Sequence, residues 1–165
     1  MGTVVTLAGA KAHPELVAPL LQNADFLGIT YYPLRADFTA RPVTDVRADV
    51  DALVALYPST PIFFREAGYP SSADLGSSPD QQAAFVTELF RAWDAHEARI
   101  PVLTFFTMNE YSPQALTQLA QYYGSSDPKF LAYLGTLGLR TYAPGTGTNK
   151  PAWDALTRGA RARGW

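Results

Sequence analysis

The 165-residue sequence contains no cysteine, two histidines and two methionines. The absence of cysteine excludes disulfides, thiolate metal sites and cysteine nucleophiles, but it leaves the cellular compartment open. His13 and His96 fall in a predicted first loop and on a predicted outer helix, without a third ligand nearby, so neither is expected to bind a metal. We therefore predict no metal site, and no cofactor is expected.

Long apolar runs are also missing, and the basic residues are scattered apart from Arg158, Arg161 and Arg163, which are expected to form a solvated helix end. No apolar run approaches the ~20 residues of a membrane span, and the first ten residues lack the basic region of a signal peptide. The formal net charge is -2, which disfavours nucleic acids and anionic membranes because both require a concentrated basic surface. We predict no nucleic-acid partner and no membrane partner, and the sequence leaves the localisation open.

Hydrophobic residues make up 47% of the sequence and charged residues 17%, a composition typical of globular proteins. The length predicts a single domain over residues 1–165. Four short runs are apolar at nearly every residue, as in parallel strands buried on both faces. They are Thr3–Leu7, Phe26–Tyr31, Ile62–Arg65 and Val102–Phe106.

Helical patterns alternate with these runs, which predicts an α/β fold of four parallel βα units followed by C-terminal helices. One predicted helix covers Thr44–Tyr57, another begins at the capping box Ser78–Gln81, and Gly138 is expected to end a later one. Two architectures fit this order, namely a small open α/β sheet and half of an eight-stranded barrel. The Gly-rich phosphate motifs that often mark the open sheet are absent, which favours the barrel.

Three motifs resemble clan A (β/α)8-barrel glycoside hydrolases. Asp25–Pro33 reads DFLGITYYP, and Pro61–Pro70 reads PIFFREAGYP; they resemble the sixth and seventh strands of that fold. Val102–Glu110 takes the place of the eighth strand. Leu137–Arg140, followed by Lys150–Trp153, resembles the segment that follows the eighth strand in many such enzymes. The resemblance implies a half (β/α)8 TIM barrel, the C-terminal half of such an enzyme.

The resemblance implies that Glu66 is the catalytic nucleophile. Barrel active sites form at the carboxyl ends of the strands, and retaining glycosidases use two carboxyl groups about 5–5.5 Å apart. The family carries its acid/base glutamate at the end of the fourth strand, a position that precedes the first residue of this sequence. We therefore consider Glu110 a candidate acid/base, with Asn109 holding a sugar hydroxyl. The alternative is that this pair only starts the helix at Ser112.

Aromatic side chains near the predicted strand ends are candidates for binding a carbohydrate. Tyr31, Tyr32 and Tyr69 are expected to hydrogen-bond the nucleophile or stack on sugar rings, although packing at the rim explains them equally well. Arg65 is a candidate substrate contact beside the nucleophile, or its ion-pair partner. Phe106 lies where the family has tryptophan, and it is expected to contact sugar or fill the core.

A lone half barrel leaves two strand edges and an apolar sheet face open, which predicts self-association into a homodimer. A self-contained four-stranded sheet is the alternative. The first function hypothesis is a hydrolase, a glycosidase of retaining ancestry. The second is a non-catalytic carbohydrate-binding or structural fragment. The third is an ester hydrolase that uses Ser71 or Ser72 without the usual G-x-S-x-G motif.

Overall fold

A computed structural model describes residues 1–144 and 147–165 of the chain. Strands and helices alternate through the first part, and further helices follow. In chain order the strands are β1 (Gly2–Thr6), β2 (Phe26–Tyr31), β3 (Ile62–Ala67) and β4 (Val102–Phe105). The helices are α1 (Leu7–Ala12), α2 (Pro14–Leu21), α3 (Asp45–Leu56), α4 (Pro79–Asp94), α5 (Pro113–Tyr123), α6 (Pro128–Gly135) and α7 (Pro151–Ala162).

The four strands form one parallel sheet in the order β1-β2-β3-β4. This sequential order is that of a barrel, because open doubly wound sheets reverse direction at a switch point. The prediction of four parallel βα units followed by C-terminal helices is confirmed. β1 and β4 each pair with only one neighbouring strand in the described chain.

The first strand ends earlier than predicted, because the chain turns into a helix at Leu7. Thr6 caps this helix with its hydroxyl, which accepts a hydrogen bond from the Gly9 N–H at 3.0 Å. A threonine in extended conformation that accepts from the third residue ahead is a typical helix start. The apolar run therefore crosses from a strand into α1, a helix that the sequence pattern does not predict.

Later helix starts follow the sequence signals more closely. Ser78 Oγ accepts from Gln81 N at 3.1 Å before α4, and Ser112 Oγ accepts from Ala115 N at 3.0 Å before α5. Gly138 does not end a helix as predicted, because α6 already ends at Gly135. Gly138 instead passes so close to the Glu110 backbone that a Cβ at this position would overlap it.

The described residues group into two compact units. Unit 1 consists of Met1–Tyr32, Thr44–Gly68 and Glu88–Phe105, and it contains the sheet. Unit 2 consists of Pro33–Val43, Tyr69–Thr87 and Phe106–Trp165. The single domain over residues 1–165 remains a prediction. None of the helices that the structure describes is long and apolar enough to cross a membrane.

The two faces of the sheet in unit 1 differ in burial. Leu27, Ile29 and Phe64 lie on one face and are at most 1% exposed. Val4 and Arg65 lie on the other, hereafter the open face, and both are exposed. Side chains alternate between the faces of a strand, so β2 and β3 each have one row of buried side chains and one row of accessible side chains. The open face therefore carries the side chains that solutes can reach.

Unit 2 has a buried polar centre at Gln82 of α4, which is 1% exposed. Its amide nitrogen donates to the carbonyl oxygens of Tyr69 at 2.8 Å and Leu137 at 2.9 Å. Buried carbonyl groups require such partners. The side chain of Gln82 thus ties the segment after β3 to the turn after α6 within this unit.

Candidate active site

A β-bulge in β3 determines where the Glu66 side chain points. Phe64 pairs with Ile29 of β2, but the next residue of β2, Thr30, pairs with Glu66, so Arg65 is an extra residue. If β3 continued regularly through Arg65, Glu66 would lie two residues beyond Phe64 and alternation would turn it toward the same face. Bulges often re-aim a side chain beside a functional site. Here the bulge places Glu66 on the open face, at the carboxyl end of its strand.

Tyr32 fixes the carboxylate of Glu66 within unit 1. The tyrosine hydroxyl donates a hydrogen bond of 2.8 Å to Glu66 Oε2. Both side chains are half-buried, and Arg65 beside them is exposed. A hydrogen bond from a neutral donor to a carboxylate holds its orientation and leaves the second oxygen accessible to a ligand. The pair thus presents one directed carboxylate oxygen on the open face.

Two of the predicted carbohydrate-binding tyrosines are buried instead. Tyr31 is 2% exposed, and its hydroxyl donates to Asp49 of α3 at 3.0 Å. Tyr69 is also 2% exposed and donates to the carbonyl oxygen of Arg41 at 2.6 Å. Both rings fill the cores of their own units, so neither offers a surface for a sugar ring. The rim-packing alternative accounts for Tyr31 and Tyr69, and only Tyr32 remains a candidate.

Glu110 forms a buried ion pair with Lys150 in unit 2. Lys150 Nζ donates to Glu110 Oε1 at 2.9 Å, and the two side chains are 6% and 19% exposed. The same ammonium donates to Ser71 Oγ at 2.9 Å and to the Thr136 carbonyl at 3.2 Å. Burial lowers the pKa of Lys150, and the contact with Glu110 opposes that shift. The sequence analysis notes Lys150 only as part of a family motif, without a role.

These contacts argue against two of the chemical roles predicted from the sequence. A general acid must deliver a proton to the leaving oxygen, whereas Glu110 Oε1 is already engaged by the Lys150 ammonium. Glu110 is therefore a poor candidate for the acid/base. The Ser71 hydroxyl receives a hydrogen bond from an ammonium rather than facing a free base, and a serine nucleophile needs a base. The contacts of Ser71 therefore do not support its role as the nucleophile of an ester hydrolase.

Glu110 also lines a cavity of about 450 Å³ in unit 2. Asn109 and Tyr142 line it as well, and both side chains are exposed. Phe106 is half-buried, and its ring lies 6.5 Å from that of Tyr111, another lining residue. Among the described residues, no group of three or more His, Asp or Glu side chains is arranged to hold a metal ion.

Comparison with known proteins gives matches to structures only. No family model matches the sequence, and the comparison with curated proteins gives no significant match. Similar solved structures include an endo-β-1,3-glucanase from Lentinula edodes, with 16% identity and a TM-score of 0.58. The match covers 93% of this chain and 54% of the glucanase.

Two further structures agree with this match. A thermostable mutant of a xylanase from Cellvibrio japonicus is 13% identical, with a TM-score of 0.58, and the match covers 96% of this chain and 48% of the xylanase. A β-glucuronidase from Ruminococcus gnavus is 16% identical, with a TM-score of 0.59, and the match covers 98% of this chain and 26% of the glucuronidase. The chain thus spans about half the length of the first two structures. At these identities the likeness shows the fold alone, and the chain has the fold of half of a (β/α)8 barrel.

Proposed function

We propose that this half barrel acts on glycosidic bonds with Glu66 as the nucleophile of a retaining reaction. The observation that carries the proposal is the β-bulge, which turns Glu66 to the open face at the carboxyl end of β3. Barrel enzymes build their active sites at these strand ends. The structural neighbours, two enzymes named for polysaccharides and one for glucuronides, support a carbohydrate as the substrate class.

The arrangement suggests a division of roles around Glu66. The Tyr32 hydroxyl holds Glu66 Oε2, so Oε1 is the oxygen that attacks the anomeric carbon. The glycosidic bond breaks, a covalent glycosyl ester forms, and water then releases the sugar. Arg65, exposed next to Glu66, is a candidate contact for substrate hydroxyls. Because Lys150 already binds Glu110, the leaving oxygen takes its proton from water.

Covalent labelling tests the assignment of Glu66. A 2-deoxy-2-fluoro glycosyl fluoride slows the second step of a retaining reaction, so the sugar should accumulate as an ester on the nucleophile. We expect peptide mass spectrometry to find one added sugar on the peptide that contains Glu66. The variant Glu66→Gln should remain unlabelled, while Glu97→Gln, a change at an exposed glutamate of the same unit, should label normally.

The alternative function is a non-catalytic carbohydrate-binding module on the same fold. Labelling on another residue would disprove the role of Glu66 as nucleophile. If saccharides bind but the chain is neither labelled nor catalytically active, the binding module is the correct reading.

We also propose that the chain self-associates through unit 1. β1 and β4 each have one unpaired edge within the described chain, and Val4 on the open face is 55% exposed. Unpaired edges and exposed apolar side chains favour pairing with another copy. A homodimer would cover both features at once.

Sedimentation equilibrium at high protein concentration should then give the mass of a dimer. The variant Val4→Lys should shift the protein toward monomer, because a charge on the open face opposes burial. The control Leu16→Lys replaces a side chain of α2 that is 65% exposed and should leave the mass unchanged. A wild-type protein that remains monomeric at millimolar concentration would rule out self-association.

A further inference from the structure

The cavity beside Glu110 in unit 2 has the volume of a small-molecule site. Its volume of about 450 Å³ falls within the range of roughly 300–1,000 Å³ of such sites. Carboxylate, amide and hydroxyl groups line it together with two phenol rings. The residues that matter here are Asn109, Glu110, Tyr111, Thr141 and Tyr142.

Backbone hydrogen bonds hold the two segments that line the cavity. Glu110 N donates to the Arg140 carbonyl at 3.0 Å, and Thr141 N donates to the Thr148 carbonyl at 2.9 Å. Tyr142 N donates to Glu110 Oε2 at 3.3 Å. The wall that carries Tyr142 is thus tied to the wall that carries Glu110. A preformed wall lowers the entropy cost of binding a ligand.

The charges at the cavity favour an uncharged ligand. Glu110 is the only charged residue among the described lining residues. It is paired with the buried ammonium of Lys150, which does not line the cavity. A cationic ligand would compete with Lys150, and an anionic ligand would find no cation facing it. Since a carboxylate has about four acceptor positions, Glu110 can still accept from ligand hydroxyls. Asn109 adds both donor and acceptor groups.

We infer that this cavity binds a neutral saccharide. The hydroxyl groups would hydrogen-bond to Asn109 and Glu110, and the apolar face of a sugar ring would pack on Tyr142, which is 44% exposed. Aromatic side chains with a polar tip suit such amphipathic ligands. Lys150 is the positioning residue, because it orients Glu110 without facing the cavity. The inference rests on the proposed function only for the class of ligand, and it requires no chemistry at Glu66.

Binding is best measured in the Glu66→Gln variant, where hydrolysis cannot consume the probe. We expect xylotriose or laminaritriose to shift the NMR signals of the Asn109 side-chain amide and the Tyr142 backbone amide in a saturable titration. Tyr142→Ala and Asn109→Ala should each raise Kd about tenfold, the effect of one lost contact. Tyr122→Ala removes a tyrosine of the same unit that is 81% exposed and outside the cavity, and it should leave Kd unchanged.

Each result separates this inference from the role of Glu66. Absence of any shift up to the solubility limit, or a Kd that neither cavity variant changes, would overturn the inference. Tighter binding of a glucuronic acid trisaccharide than of the neutral probes would refute the charge argument. Saccharide binding at the cavity, together with absence of labelling at Glu66, would refute only the proposed nucleophile.

Discussion

Replacement of Glu66 by glutamine is expected to lower kcat/KM for nitrophenyl glycosides by about 10⁴-fold or more. An amide has the shape of the carboxylate but cannot attack the anomeric carbon, and loss of a nucleophile has effects of this order. Tyr32→Phe should cost about tenfold to a hundredfold, because a hydrogen bond to a charged group contributes about 1.5–3 kcal/mol. Steady-state kinetics on a panel of aryl glycosides measures both effects.

Two controls separate a nucleophile from a structural glutamate. Glu97→Gln should remain within about twofold of the wild type, since the substitution is at an exposed position. Added azide should restore turnover to Glu66→Ala, because an external nucleophile can enter the space that the side chain leaves. If Glu66→Gln retained activity within about tenfold of the wild type, Glu66 would not be the nucleophile.

Replacement of Lys150 by methionine is expected to lower the free energy of unfolding by about 3 kcal/mol. The substitution preserves most of the volume, but it removes the donor of Glu110, Ser71 and the Thr136 carbonyl. Removal of one partner of a buried ion pair costs about 3–5 kcal/mol, and the 19% exposure of Glu110 lowers that figure. Urea denaturation followed by circular dichroism gives the difference.

A second ion pair of the same unit provides a matched control. Lys129 and Asp37 are paired at 2.7 Å, but their side chains are 43% and 55% exposed. Lys129→Met should therefore lower the free energy of unfolding far less than Lys150→Met, because solvent screens an exposed pair. The double variant Glu110→Gln with Lys150→Met should be more stable than Lys150→Met alone, because it no longer leaves an unpaired carboxylate in the interior. Equal losses in the two lysine variants would show that burial does not strengthen the Lys150 pair.

The pH dependence of unfolding provides an independent check on Lys150. Its pKa is lowered in the folded state by burial, so the unfolded chain binds more protons between that lowered value and the usual pKa of about 10.4. The contribution of Lys150 to stability should therefore rise with pH across this window. The free energy of unfolding of the wild type should therefore rise relative to that of Lys150→Met as the pH increases through this window. A difference that shrinks with pH would contradict a lowered pKa of Lys150 in the folded state.

The sequence predicts the sheet well, because the strands are buried and apolar. β2 begins and ends where its pattern predicts, and β3 extends beyond Arg65 through Ala67. The sequence does not predict the faces on which side chains lie. Tyr31 and Tyr32 are adjacent, yet Tyr31 is buried against Asp49 and Tyr32 reaches Glu66. The register of β2 against β3 determines which of the two tyrosines is buried and which one reaches Glu66. Register depends on long-range pairing, which the sequence pattern does not reveal.

The pair of Lys150 and Glu110 could not be predicted either, since the two residues are 40 positions apart. Asn109 and Glu110 are recognisable as polar residues after a strand, which is why the sequence points to them. Tyr142 and Lys150 lack such a signal, because each belongs to an irregular segment whose path depends on the tertiary fold. The cavity that Tyr142 lines forms only once the segments after β4 are in place.

The bulge in β3 also affects how related sequences should be read. A relative with the same residues but a regular strand in place of the bulge would pair its glutamate with the counterpart of Tyr31, on the buried face of the sheet. Its glutamate would then turn inward among the apolar side chains, where an ionised group is costly. A shared Glu-x-Gly-x-Pro signature would therefore not suffice to transfer the proposed chemistry. The bulge between the buried phenylalanine and the glutamate must be shared as well.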